Sequence, residues 1–170
     1  MFSLRKPKIS VSQKVKQKAR KSLSNNFSKN KENYVADTSA IINKFLPRVI
    51  SKGLNGKIII PNAVMAELEN MANRGKEEGY LGLEEVAKLH KFKQIKLFFS
   101  GLRPNEMQIK FAKSGEIDAL IREIAITEKA TLITADLVQA KTAQAYGLKV
   151  LFLKPKIKQE KKKGFLFWRK

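Results

Sequence analysis

Short, wholly apolar runs alternate along this chain with longer stretches of helical periodicity, and that alternation narrows the fold more than any other feature. Tyr34-Val35-Ala36, Lys57-Ile58-Ile59-Ile60, Ile95 to Phe99, Thr131-Leu132-Ile133-Thr134 and Leu148 to Leu153 read as strands. A run that is apolar at every position, not every second one, suits a strand covered on both faces. Helical patterns fill the intervals. One opens at Ala40-Ile41-Ile42 and breaks near Pro47; another runs from an Asn62 N-cap to about Asn73. Leu81 to Phe92 is a third, Gly115 to Lys129 behind a Ser114 cap is a fourth, and a fifth ends at Tyr146 with Gly147 as its stop. Strands alternating with helices predict an α/β fold, a three-layer α/β/α sandwich around a central parallel sheet. Ligands of such sheets bind at the carboxyl ends of the strands, where the strand order reverses.

Charge divides the 170 residues into three parts. Residues 1–33 hold ten Lys/Arg against one acid, and residues 154–170 hold eight against one. The two arms therefore carry +9 and +7 of the net +20, and the segment 34–153 carries only +4. The expected organisation is a basic, disordered arm (1–33), one folded domain (34–153) and a basic tail (154–170) tipped by Phe165, Phe167 and Trp168. Polycationic arms attract polyanions, of which nucleic acid is the commonest; solvated tails without a dedicated ligand are the alternative. The aromatic tip suits base stacking, an anionic membrane surface or a protein partner equally well.

Several classes are excluded. The chain has no cysteine, so disulfides, zinc–thiolate sites and cysteine nucleophiles do not arise. It contains no GxxxxGK[ST] or GxGxxG nucleotide-binding loop. No apolar run approaches the ~18 residues of a membrane span. The opening MFSLRKPKIS turns basic too early for a signal peptide, so a cytoplasmic location is expected. The one histidine, His90, is expected at the edge of the core beside Val86.

What remains for chemistry is a set of carboxylates. Two strands run into an acid on the same plan, ending at Asp37 and at Asp136. If those strands are parallel neighbours, both acids emerge at one edge of the sheet. Paired carboxylates repel unless protonated or bridged by a cation, and hard divalent metals suit oxygen ligands. The alternative is that both are helix N-caps. On the helix 62–73, Glu67 falls on the rim of the apolar face of Val64, Leu68, Met71 and Ala72, whereas Glu69 is expected to face solvent. On the helix from Gly115, Asp118 and Glu116 flank the stripe of Ile117, Leu120, Ile121 and Ile124. Both also stand in a first turn, where the helix dipole favours acids. Carboxylates, a metal and water suit attack on a phosphodiester.

The segments ADTSAII (36–42), IIIPNAVMAELENMANRGKEEGYLGLEEV (58–86), SGEIDALIREIA (114–125) and TLITADLVQAKTAQAYGLKV (131–150) resemble, in order, those of the PIN-domain family. The likeness is strongest to the PIN module of archaeal proteins that also contain an ATPase and a KH domain. It implies a Rossmann-like sandwich and cleavage of single-stranded RNA with magnesium or manganese. It further implies that Asp37, Glu67, Asp118 and Asp136 bind the metal, with Glu116 a further acid near the site. Thr38 and Thr134 match hydroxyls that support the first and last acids. Arg74, Lys76 and Arg103, in loop-like stretches, are candidate phosphate contacts, or else solvated surface charge. The expected function is that of a metal-dependent endoribonuclease, and homodimers are a family expectation. The alternative is a catalytically silent PIN module that binds RNA or assembles with a separate ATPase chain, since no Walker motif is present here. A haloacid-dehalogenase-like phosphotransferase is disfavoured, because the DxD pattern fails at Ser39.

Overall fold

The computed structural model describes residues 32–112 and 115–154. The expected arm 1–33 and tail 154–170 thus lie almost wholly outside the described residues, as does the Ser114 cap. Five strands, β1 (Glu32–Ala36), β2 (Gly56–Pro61), β3 (Ile95–Ser100), β4 (Thr131–Thr134) and β5 (Val150–Phe152), form one sheet in the order β3-β2-β1-β4-β5. Every pairing is parallel. Flanking the sheet are α1 (Thr38–Ile42), α2 (Phe45–Ile50), α3 (Asn62–Asn73), α4 (Glu77–Leu89), α5 (Glu106–Phe111), α6 (Glu116–Thr127) and α7 (Leu137–Ala145). The expected α/β sandwich with a central parallel sheet is therefore observed.

The apolar runs explain the centre of the sheet. Val35, Ile58, Ile59, Ile60, Leu132 and Ile133 have no solvent exposure. Burying each such side chain contributes roughly 1.5–3 kcal/mol, and truncating one to Ala would cost about 2–5 kcal/mol. The edge departs from expectation. Phe98 and Phe99 on β3 remain 44% and 45% exposed, so this strand is not covered on both faces. Lys57 lies over the Phe98 ring, and His90 stacks near Phe99 from an exposed position at the end of α4. His90 is therefore a surface residue and not a core-edge one.

Helix boundaries shift for local reasons. The first helix breaks at Lys44, which adopts a left-handed φ of 55°, and not at Pro47. Pro47 instead sits in the first turn of α2, where its missing N–H would have no partner in any case. Asn62 is not a cap: its side chain donates to the Gly101 carbonyl (2.7 Å), tying α3 to the end of β3. Helix α4 begins at Glu77 and not at Leu81, and takes in Gly79 and Gly82. A Cβ at Gly79 would collide with the backbone of α3, and one at Gly82 with the Leu68 side chain. These two glycines let α4 lie against α3, the helix that carries Glu67. Among the described residues, no helix is long and apolar enough to cross a membrane.

Candidate active site

The chain steps outward from β1 to β2 to β3, then returns to lay β4 on the other side of β1. The order reverses between β1 and β4, whose register pairs Tyr34 with Thr131 and Ala36 with Ile133. Asp37 extends this ladder by one bond, its N–H donating to the Ile133 carbonyl (3.0 Å). Asp37 and Asp136 therefore leave adjacent parallel strands at the same end, as a ligand site at a switch point requires.

Their surroundings differ. Asp37 is 3% exposed, and its Oδ2 accepts from Ser39 Oγ (2.6 Å) and Thr134 Oγ1 (2.6 Å). It stands at the head of α1, yet its side chain caps nothing. Asp136 is exposed and does cap its helix: Oδ1 accepts from the N–H groups of Val138 (2.6 Å) and Gln139 (3.1 Å) at the start of α7. The N-cap reading thus holds for Asp136 and fails for Asp37. Glu67, partly buried on α3, accepts from Thr38 Oγ1 (2.5 Å). Asp118, in the first turn of α6, is also partly buried.

Three of the four acids are raised in pKa, and the charge of Asp136 acts on two of them. Burial is the main cause that raises the Asp37 carboxyl above its ordinary value of 3.8; Asp136 adds repulsion, while the Ser39 and Thr134 hydroxyls and the Thr38 backbone oppose the rise. Glu67 is raised by burial, against the Thr38 hydrogen bond, with further repulsion from Asp37 and Asp118. Asp118 is raised by burial and by the charges of Asp37 and Asp136, with Arg122 opposing. Three carboxylates whose pKa values are raised by burial and by one another's charge form a site that a cation would stabilise. Among the described residues, no three acidic or histidine side chains are grouped closely enough to hold a metal ion as they stand. Asp37, Glu67 and Asp136 lean instead on neighbouring hydroxyl or amide donors. An ionised carboxylate offers about four lone-pair sites, so these bonds leave acceptor capacity on each group. The donor set, all hard oxygens without thiolate or imidazole, fits magnesium or manganese.

Other expected residues fall elsewhere. Thr38 and Thr134 do serve acids, but Thr38 supports Glu67 and not the first acid, while Thr134 donates to that first acid, Asp37. The Thr134 hydroxyl also accepts from the Asp136 N–H (3.0 Å), so it joins both strand-end acids. Glu116 is exposed, and the couplings that shift Asp37, Glu67 and Asp118 do not involve it. It lines a neighbouring groove of about 430 Å³ with Arg103 and Phe111, and none of the four acids is on that groove's wall. Arg103 is engaged by both oxygens of Glu69, which expectation had placed free in solvent. Arg74 and Lys76 are exposed beyond the end of α3, about two turns past Glu67.

Two contributors were not anticipated. Ser39 donates to Asp37 and accepts from the Ala135 N–H (2.9 Å), linking the mouths of β1 and β4. Gln139, fully buried, donates to the Asp118 carbonyl (3.1 Å) and accepts from Arg122 Nη1 (2.6 Å).

The PIN-domain family model matches residues 34–151. The chain belongs to the PIN-domain family. It is 43% identical over 122 residues to an uncharacterised KH and PIN-domain containing protein of Methanocaldococcus jannaschii, covering 69% of this chain and 19% of that one. It is 24% identical over 120 residues to the Holliday junction branch migration ATPase PINA of Sulfolobus acidocaldarius, covering 70% of this chain and 22% of that one. The PIN chain thus spans about a fifth of the length of these curated relatives. A solved domain of a functionally unknown M. jannaschii protein superposes with a TM-score of 0.69 at 40% identity, over 72% of this chain and 91% of that one. PIN domains are generally nucleases that use divalent metal ions.

Proposed function

We propose that this PIN domain is a magnesium- or manganese-dependent endoribonuclease acting on single-stranded RNA, with Asp37, Glu67, Asp118 and Asp136 as its metal-binding acids. The observation that carries the proposal is geometric: Asp37 and Asp136 leave adjacent parallel strands at the switch point of the sheet, with Glu67 and Asp118 close enough to feel the charge of Asp37. A bound divalent ion would supply an activated water and neutralise charge on the phosphoryl group under attack. The protein's own part is placement. Ser39 and Thr134 fix the rotamer of Asp37, Thr38 fixes Glu67, and the α7 cap fixes Asp136. Among the described residues, Arg122 is a cation whose charge acts on one of these acids, Asp118. The basic segments 1–33 and 154–170 would hold the strand through its phosphates, largely without regard to sequence.

Labelled single-stranded RNA, with single-stranded DNA in parallel, incubated with the full chain and Mn2+ tests the reading. Internal cleavage of the RNA that stops on adding EDTA is expected. Intact RNA under every divalent metal tried would refute it. The much longer relatives, one named as an ATPase, favour a second reading: a silent PIN module that binds RNA or assembles with a separate ATPase chain. Intact RNA together with recovery of an ATPase in a pull-down would favour that one.

A further inference from the structure

Arg122 lies one helical turn after Asp118, close enough for its charge to act on that carboxylate. Its Nη1 is held by the fully buried Gln139 side chain (2.6 Å). Gln139 also holds the Asp118 carbonyl through its side chain and the Asp136 carboxylate through its backbone N–H. The guanidinium is thus fixed relative to two of the four acids. Beyond it, Arg122 Cζ lies 5.8 Å from the centroid of the Tyr146 ring. Tyr146 follows the end of α7 and is 66% exposed, so its ring contributes little to the core. Between that ring and α6 runs a shallow groove of about 200 Å³, walled by Ala119, Arg122, Glu123, Ile126, Thr127 and Tyr146.

We propose that this groove binds one nucleobase of the single strand, stacked against Tyr146 and Arg122, next to the phosphate that reaches the acids. The inference rests on the nuclease reading for its register and on the groove for its chemistry. An aromatic face takes any base, and a guanidinium held beside it adds a cation–π contribution. Exposed Ile126 lengthens the apolar wall. Glu123 on the same wall repels a phosphate, so the groove suits the uncharged base and leaves the backbone to the acids and their metal. A base must be out of its stack to enter, which selects single strands over duplexes.

The test compares the affinity of the full chain, in EDTA, for a short single-stranded RNA and for the same backbone without bases. Phosphate contacts cancel in that ratio. The wild type should prefer the base-bearing strand, Tyr146→Ala should lose roughly 5- to 150-fold of that preference, and Tyr146→Phe should keep it. An unchanged ratio in Tyr146→Ala with an unchanged melting temperature would overturn the subsite, as would a wild type with no preference for bases. Cleavage by the wild type in Mn2+ reports on the nuclease reading separately. A base preference that depends on Tyr146, without cleavage, would uphold the groove and sink the nuclease.

Discussion

Asp37 and Asp136 come from the same sequence plan, an apolar strand running into an acid, and the fold gives them opposite surroundings. Asp37 is buried, tied to two hydroxyls and raised in pKa. Asp136 is exposed and caps a helix. The difference teaches that motif position sets where a carboxylate emerges, while its neighbours across the sheet set what state it is in. One acid is a buried wall of the candidate site; the other stands on its rim and also caps α7.

The largest expected effect breaks the comparison by removing each charge in turn. Asp37→Asn and Asp136→Asn should both reduce RNA cleavage below detection. Their stabilities should diverge. Asp37 has a raised pKa in the fold, so the native state holds a proton that the unfolded chain releases from about pH 3.8 upward. Stability therefore falls as pH rises from there through the raised native value, and Asp37→Asn removes that loss. In metal-free melts from pH 4 to 8, the melting temperature of Asp37→Asn should gain on the wild type as pH rises. A difference that stays constant across pH would show that the Asp37 charge carries no burial penalty. Mn2+ should raise the wild-type melting temperature more at pH 8 than at pH 4, since protonated carboxyls make poor ligands.

A smaller effect sharpens the comparison through the one hydroxyl that serves both acids. Thr134 is fully buried, donates to Asp37 and accepts from the Asp136 N–H. Thr134→Val keeps the shape and removes both bonds, at about 1–3 kcal/mol of stability. Groups that orient metal ligands typically change affinity or activity by roughly 10–100-fold, so cleavage should fall within that range. The loss should be partly recovered at high Mn2+, because the acids remain and only their placement is relaxed. No response to Mn2+ would assign Thr134 a structural role alone.

How much of this was legible depended on whether the signal was local. The parallel sheet was readable because Ile58, Ile59, Ile60, Leu132 and Ile133 are apolar at consecutive positions. Glu67 was readable because helical spacing puts it on the rim of a buried face. Helix α5 was missed although its capping box, Asn105 with Gln108, is written in the sequence; its six residues are too few for a helical period to stand out, and none of them is buried. Ser39 was missed because its bond to Asp37, two positions back, gains its role only from the further bonds to Ala135 and Thr134, more than ninety positions away. The partners of Thr38 and Thr134 were hidden for the same reason: their hydroxyls donate to acids on other elements, Thr38 to Glu67 and Thr134 to Asp37. Gln139 gave no signal, because a polar residue on a helix gains meaning only when another element covers it.

The smallest effect separates the two duties of Asp136. Its carboxylate both faces the site and caps α7, and substitutions can remove one duty while keeping the other. Asn is as good an N-cap as Asp, so Asp136→Asn should abolish cleavage and leave the metal-free melting temperature nearly unchanged. Ala removes the acceptor for the Val138 and Gln139 N–H groups and should cost about 1 kcal/mol, or ~4 °C for a domain of this size. Because the Gln139 N–H is one of those released, the Ala variant should also loosen the hold of Gln139 on Asp118 and Arg122. Base-bearing RNA should then bind less tightly to Asp136→Ala than to Asp136→Asn when measured in EDTA. Equal melting temperatures for the two variants would mean that the cap carries no weight in α7, and that Asp136 serves the rim of the site alone.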